Sequence, residues 1–240
     1  MKHRLFPKNE RGTANHGWLQ ANFSFSFANY YNPDMVQFGM LRVLNDDTIA
    51  AGMGFGTHPH DNMEIITIPL EGGLTHRDSM GNQATVSFGE VQVMSAGTGI
   101  QHSEMNASKS EKAKTLQLWV FPEKENVEPR YDQKGFNLEN SRNTFVNIVS
   151  PENQNDGNAL WIHQQAFLHL GIFDADVTVN YDIKIPENGL YLFLIEGEIE
   201  VNNQLIKERD AYGIVEFESF EIKVLKNAKI LTIEVPMKFS

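Results

Sequence analysis

Four potential metal ligands form two pairs in the sequence, His58 with His60 and His102 with Glu104. Successive side chains of an extended strand alternate between its two faces, so each pair would project to one side, with its members roughly 7 Å apart. Three imidazole nitrogens and one carboxylate oxygen suit Fe(II), Mn(II), Co(II), Ni(II), Cu(II) or Zn(II) better than a hard ion that prefers oxygen alone. The spacing therefore predicts a site for one divalent metal.

A second carboxylate, Glu64, competes with Glu104 for the role of fourth ligand. Glu64 lies an even number of residues from His58 and His60, so an uninterrupted strand would place it on their face. It would also lie roughly 13 Å beyond His60 along an extended strand, whereas Glu104 is two residues from His102. We therefore expect Glu104 to bind the metal and Glu64 to act as a base or to orient the ligands, which makes both carboxylates candidate catalytic residues.

The segments around these residues have the pattern of short strands separated by turns, without helical periodicity. Aromatic and small polar residues alternate between Arg11 and Tyr31, which predicts a half-buried strand. His76 stands beside Arg77 and Asp78, where a solvated or salt-bridged strand edge is expected. Repeated short strands with turns at this spacing are typical of a sandwich, barrel or jelly roll. The predicted fold class is all-β.

Two domains are predicted, at residues 1–122 and 144–240, joined by a linker at 123–143 that is polar, charged and contains proline. The sequence LEGGL at 70–74 has a counterpart in IEGEI at 195–199, an offset of 125 residues that indicates an internal repeat of one β-domain. At this offset, Ile183 and Ile185 stand in the places of His58 and His60. We therefore expect the second domain to lack a metal site.

Composition excludes several classes of function. The 240 residues include no cysteine, so thiolate catalysis, cysteine-bound zinc and disulfide bonds are excluded, as suits a reducing compartment. The net charge of −11, without a basic cluster, disfavours nucleic-acid binding. No apolar run is long enough to span a bilayer, and no signal peptide is recognised at the start. These features predict a soluble, cytoplasmic protein and do not exclude a small, metal-bound substrate.

The spacing of the candidate ligands resembles the two motifs of the cupins, with a glycine one residue later than usual and a longer, proline-free turn before His102. Both departures match the pirin family, and the resemblance extends over nearly the whole chain. The segments that carry it are RG at 11–12, HGWL at 16–19, FSFANYY at 25–31, THPH at 57–60, EG at 71–72, HRDS at 76–79, AGTGI at 96–100 and HSE at 102–104. The length and short second half look most like bacterial pirin-like proteins.

This resemblance implies a bicupin of two tandem jelly-roll barrels, with one non-haem metal, usually iron, in the N-terminal cupin and none in the C-terminal cupin. The residues that match the family's ligands are His58, His60, His102 and Glu104. Several members of the family are quercetin 2,3-dioxygenases, whereas a eukaryotic branch is described as an iron-dependent transcriptional cofactor. The resemblance thus implies either an enzyme or a binding protein.

We expect the enzyme, a dioxygenase with Fe(II) that opens the ring of a flavonol such as quercetin with O2 and releases carbon monoxide. Four ligands on an octahedral ion would leave two positions open, as in other non-haem iron oxygenases, whereas tetrahedral zinc would leave none. The alternative is a non-enzymatic iron-binding redox sensor or transcriptional cofactor that acts through a protein partner. Because the repeat already supplies a like domain as partner, we expect a monomer.

Overall fold

The computed structural model describes residues 1–238, which fold almost entirely into β-strands. Strands of the first half are β1 Lys2–Phe6, β2 Gly12–Asn15, β3 Leu19–Phe23, β4 Leu41–Ile49, β5 Gly54–His60, β6 Glu64–Glu71, β7 Gly73–Asp78, β8 Gln83–Ser87, β9 Glu90–Ser95, β10 Ile100–Asn106, β11 Ala113–Val120 and β12 Arg130–Gly135. Strands of the second half are β13 Val146–Pro151, β14 Leu160–Ile162, β15 Phe167–Phe173, β16 Thr178–Asp182, β17 Gly189–Val201, β18 Gln204–Lys207, β19 Ala211–Val215 and β20 Ser219–Val235. Three 3-10 turns lie at Lys8–Glu10, Glu139–Ser141 and Glu152–Gln154. The all-β prediction is confirmed.

The first domain packs two antiparallel sheets face to face. One sheet has seven strands in the order β12-β9-β6-β11-β4-β3-β2, and the other has four in the order β5-β10-β7-β8. Strands that are consecutive in sequence, such as β5 and β6, therefore belong to different sheets, as in a jelly roll. The candidate ligands lie on β5 and β10, which are adjacent in the smaller sheet.

The second domain is built on two long bent strands, β17 and β20, which pair with each other and carry the other strands on both sides. Their pairing has three register shifts between Leu194 and Ile199. Such bulges sharpen the local bend of a strand, so one strand can serve both layers of the domain. Two domains of the predicted kind are thus present.

The predicted repeat is visible at Gly72 and Gly197. Both glycines have positive φ, +71° and +97°, and a Cβ at either would meet the neighbouring main chain, at Lys112 and Asn227 respectively. A left-handed conformation in such a close approach favours glycine. The two glycines therefore mark equivalent bends, 125 residues apart.

Three segments differ from the predictions. β1 pairs with β19 of the second domain, so the N-terminal residues do not lie in the sheets of the first. Within the predicted linker, β12 pairs with β9 because it covers an edge strand that would otherwise expose its backbone. The predicted strand from Arg11 to Tyr31 is divided into β2 and β3 by a turn at Gly17, and the aromatic residues after Phe23 form turns. The boundaries at 122 and 144 remain predictions.

A single apolar core joins the two domains. It contains Ile66 and Ile68 of β6 together with Leu168 and Leu170 of β15, all buried. One face of β6 is therefore directed to the second domain, while its other face looks into the first. Among the described residues there is no helix long and apolar enough to cross a membrane.

Candidate metal centre

Three histidines converge at the pairing of β5 with β10. His58 stands opposite His102 in the register, and His60 projects to the same side two residues along β5. The donor atoms of the three residues all lie within 4.8 Å of one another. The ring centroids are 4.4 Å apart for His58 and His102, and 4.9 Å apart for each pair that includes His60. The structure thus brings together all three predicted imidazole ligands.

The free nitrogens of these rings are what a metal site requires. The Nε2 atoms of His60 and His102 are buried and have no hydrogen-bond partner among the described residues. The Nδ1 of His58 lies 2.8 Å from the carbonyl of Gly56, so Nδ1–H donates and Nε2 keeps its lone pair. Buried polar atoms normally have partners, and a divalent ion would supply the missing one to each ring.

The electrostatics of the site favour neutral rings. Burial, together with the neighbouring His58, lowers the pKa of His60 to about 4 and that of His102 to about 3. A neutral imidazole is the form that binds a metal, whereas an imidazolium has no lone pair to offer. At neutral pH the site is therefore ready for an ion without release of protons from these two rings.

His76 and Asp78 form a chain behind His102. The Nε2 of His76 lies 2.9 Å from the Asp78 carboxylate, and its Nδ1 lies 3.5 Å from the Nδ1 of His102. If Nε2–H of His76 donates to Asp78, then its Nδ1 accepts from His102, and the lone pair of His102 is fixed on Nε2. The hydrogen bonds from His102 through His76 to Asp78 therefore select the tautomer of His102 that can bind the ion.

His76 is expected at a solvated or salt-bridged strand edge, and the structure instead buries it within the sheet, with Nε2 2.9 Å from the Asp78 carboxylate. His76 is fully buried because Tyr131 of β12 stacks on it, with ring centroids 4.5 Å apart. Sequence reasoning missed its role behind His102, although the signal was available. His76 and Asp78 have the same two-residue spacing that identified His58 and His60.

Glu104 is held firmly on the same face of β10 as His102. Both side chains are buried, and the Glu104 carboxylate accepts hydrogen bonds from Thr67 Oγ1 at 3.3 Å and from Gln117 Nε2 at 2.7 Å. Trp119 Nε1 donates to Gln117 Oε1 at 3.0 Å and so orients that amide. Burial raises the pKa of Glu104. The carboxylate lies outside the tight group of three histidines, two residues from His102 on the same strand face.

The prediction that Glu64 shares the face of His58 and His60 is wrong. The chain leaves β5 at Asp61, turns at Asn62 with φ +41°, and enters the other sheet as β6. Glu64 therefore faces the second domain, where its carboxylate accepts from Ser95 Oγ at 2.7 Å and from the main chain of His163. Ile65 and Thr67 occupy the inward face instead. These contacts give no support to a role for Glu64 in catalysis.

A cavity of about 610 Å3 opens beside His60. Its walls come from the ends of β5 and β10 and from the turn before β10, and they include Pro59, Asp61, Ser79, Thr98 and Gln101. On its inner side His60 packs against Trp119, with ring centroids 4.9 Å apart. The volume is in the range of pockets that hold small organic molecules. The metal site is thus accessible from one direction and closed by an aromatic wall on another.

Two jelly-roll domains, of which one holds three histidines on adjacent strands, define a metal-binding bicupin. The family model described as Pirin matches residues 6–120, and the model described as Quercetinase C-terminal cupin domain matches residues 147–235. Quercetin 2,3-dioxygenase of Escherichia coli (strain K12) is 40% identical over 232 residues, which cover 97% of this chain and 98% of the relative. The chain belongs to the pirin family.

Solved structures agree with this assignment. The crystal structure of YhhW from Escherichia coli matches with a TM-score of 0.93 at 39% identity and covers 100% of both chains. A structure of bacterial pirin YhhW in complex with nickel(II) matches with a TM-score of 0.91 at 39% identity and covers 98% of this chain and 99% of that one. Together with the three-histidine group, these matches support a centre for a single divalent metal.

Proposed function

We propose that this protein is a metal-dependent dioxygenase that opens the ring of a flavonol such as quercetin with O2. The observation that carries the proposal is the group of three converging histidines beside an open cavity, two of which have a buried Nε2 without a partner among the described residues. The relative of 40% identity that is named quercetin 2,3-dioxygenase supports the reaction and the substrate class.

The proposed ligands are His58, His60, His102 and Glu104, and the proposed metal is Fe(II). The Glu104 carboxylate would contribute the negative charge among these ligands, and its burial beside the histidines favours that role. Fe(II) accepts such a mixed nitrogen and oxygen set and keeps further positions open. When bound, the ion would supply a Lewis acid that stabilises the deprotonated hydroxyl of the substrate.

The chain's own residues have three tasks in this scheme. His76 and Asp78 keep the proton of His102 on Nδ1, away from the ion. Gln117 and Thr67 aim the Glu104 carboxylate, which can also take the substrate proton as a base. Trp119 and the apolar residues Ile65, Met94 and Ile100 keep the inner side of the site free of water.

The proposal includes a monomer that acts in the cytoplasm on a small molecule, without nucleic acid, a membrane or an obligatory protein partner. It competes with the second role considered from the sequence, an iron-binding redox sensor that acts through a partner protein. A sensor needs the metal but does not consume quercetin.

Aerobic assays of the metal-loaded protein distinguish the two. We expect Fe(II)-loaded protein to remove the flavonol absorption band of quercetin and to release carbon monoxide, with both signals lost on chelation and restored by Fe(II). His60→Ala should be inactive, whereas His163→Gln, in the second domain and outside the triad of His58, His60 and His102, should behave as the wild type. Fully metallated protein that neither bleaches quercetin nor releases carbon monoxide would contradict the enzyme and favour the sensor.

A further inference from the structure

A second cavity, of about 510 Å3, lies between the two domains. Its lining includes none of the triad, Glu104, His76 or Asp78, so it is distinct from the metal centre. Most of its wall is apolar and comes from both domains. The apolar side chains that form it are Ile68, Phe88, Phe136, Leu138, Leu170 and Ile172.

One cation, Lys229, faces this apolar wall from β20. The residue is only 9% exposed, and its Nζ makes no hydrogen bond or ion pair with any of residues 1–238. The nearest compensating group is the ring of Phe88, whose centroid lies 4.8 Å from Nζ. Burial lowers the pKa of Lys229, although Glu196 on the neighbouring strand opposes the shift. The stem of the side chain is buried while Nζ keeps contact with the open cleft, so its charge is available to an anionic group that enters there.

The two carboxylates at the edge of the cleft are engaged elsewhere. Glu90 accepts the main-chain N–H of Ser87 at 2.8 Å, and Glu139 accepts from Arg142 Nε at 3.0 Å. Neither is in ion-pair distance of Lys229. These carboxylates would repel a ligand with several negative charges. The ligand that best complements the cleft therefore carries a single negative charge.

We propose that this interdomain cleft binds a small apolar molecule that carries a single carboxylate. The carboxylate would pair with Lys229 Nζ, and the apolar body would lie between the Leu170 side of the second domain and the Phe88 side of the first. The cleft volume is within the usual range for such ligands. This proposal does not depend on the reaction at the metal centre.

The test uses 2-naphthoate as the probe and its neutral isostere 2-naphthamide as the comparison, titrated calorimetrically into the full-length chain. We expect naphthoate to bind about tenfold or more tightly than naphthamide, since a charge-assisted pair is available to one of them only. Lys229→Met and Lys229→Gln should reduce naphthoate binding to the level of naphthamide. Lys223→Met, on the same strand but exposed and paired with Glu200, should leave it unchanged.

The place where naphthoate binds is checked in two ways, by methyl NMR and by comparing its affinity with and without Ni(II) in the protein. The methyl signals of Leu138, Leu170 and Ile172 should shift with naphthoate, and its affinity should be the same with and without Ni(II) in the protein. Circular dichroism confirms that both Lys229 variants are folded. The proposal is overturned if folded Lys229→Met binds naphthoate as the wild type does, if naphthoate does not saturate at millimolar concentration, or if metal binding abolishes its binding.

Discussion

The two cupin domains use the same strand pairing for different purposes. In the first domain, the pairing of β5 with β10 brings three histidines together, His58, His60 and His102. In the second domain, the equivalent pairing of β16 with β20 places Tyr181, Phe220 and Ile222 in an apolar core. The strand arrangement is shared, but the side chains between the sheets are not. The same barrel is thus a metal site in one copy and a structural core in the other.

The buried polar groups around Tyr181 in the second domain are paired with one another. Tyr181 donates to Glu234 at 3.0 Å, and the Glu234 carboxylate also accepts from the main chain of Lys184 and Ile185 and from Asn188. His169, the last histidine in the sequence, lies beside Tyr181, with 3.4 Å between Nδ1 and the phenol oxygen. In the first domain, by contrast, two buried imidazole nitrogens have no partner among the described residues. What distinguishes a ligand site from a buried polar network is therefore the unsatisfied atoms, more than the residue types.

The strongest test of this difference is the number of metal ions. Wild-type protein should hold one divalent metal per chain, because the described residues contain one group of converging donors. His58→Ala combined with His102→Ala should remove essentially all of it, as measured by elemental analysis after dialysis. Two equivalents in the wild type, or one in the double variant, would show that the second domain also binds metal.

The next test compares the effects of removing the charge of Glu104 and of Glu64 on Fe(II) affinity. Glu104→Gln should weaken Fe(II) affinity by about 100-fold or more, because it removes the negative charge among the four proposed ligands, an effect larger than that of most indirect partners. Glu64→Gln should leave the affinity unchanged, since Glu64 contacts Ser95 and His163 rather than the triad. Competitive titration against a chelator measures both, and metal loss in Glu64→Gln alone would reverse the assignment.

The outcome for Glu64 shows where sequence reasoning reaches its limit. The fold class, the two domains and the convergence of the three histidines follow from strand periodicity, the repeat and the resemblance of motifs. The face of Glu64 could not be derived, because it depends on a turn at Asn62 that sends β6 into the other sheet. The burial of His76 could not be derived either, since Tyr131 reaches it from a strand that composition alone presented as linker.

The burial of Glu64 also predicts that the stability of the first domain depends on pH. The second domain has no counterpart of this effect, since Gly189 occupies the equivalent position in the repeat. Burial raises the pKa of Glu64 from 4.5 to about 7, so the folded state holds its proton more tightly than the unfolded chain does. Its contribution to stability is therefore full below pH 4.5 and falls by about 3 kcal/mol as the pH rises to 7. Urea unfolding of wild type and Glu64→Gln between pH 5 and 8 measures this, and the difference between the two should grow with pH in favour of the variant. Parallel curves would contradict it.

The hydrogen bonds of His76 and Asp78 behind His102 should contribute less to Fe(II) affinity than the proposed ligand Glu104 does. Asp78→Asn leaves the shape of the side chain but weakens its hold on the His76 proton, so Fe(II) affinity should fall about 10- to 100-fold. Asp132→Asn, on β12, is the matched control: Asp132 pairs with Arg130 rather than with His76, so this variant should bind Fe(II) as the wild type does. An unchanged affinity in a folded Asp78→Asn protein would mean that the tautomer of His102 is set by other groups.

The smallest effect is expected in the second domain, at Tyr181→Phe. The substitution removes one donor to Glu234, whose carboxylate keeps the main-chain donors of Lys184 and Ile185 and the amide of Asn188. Loss of one hydrogen bond among several costs about 1 kcal/mol, and the ring remains packed against Phe220. Urea unfolding should show that loss, while metal content and Fe(II) affinity should stay at the wild-type level because Tyr181 belongs to the other barrel. If Tyr181→Phe lowered metal affinity, the two barrels would be coupled through their common core, and the division into a metal-binding copy and a structural copy would be too simple.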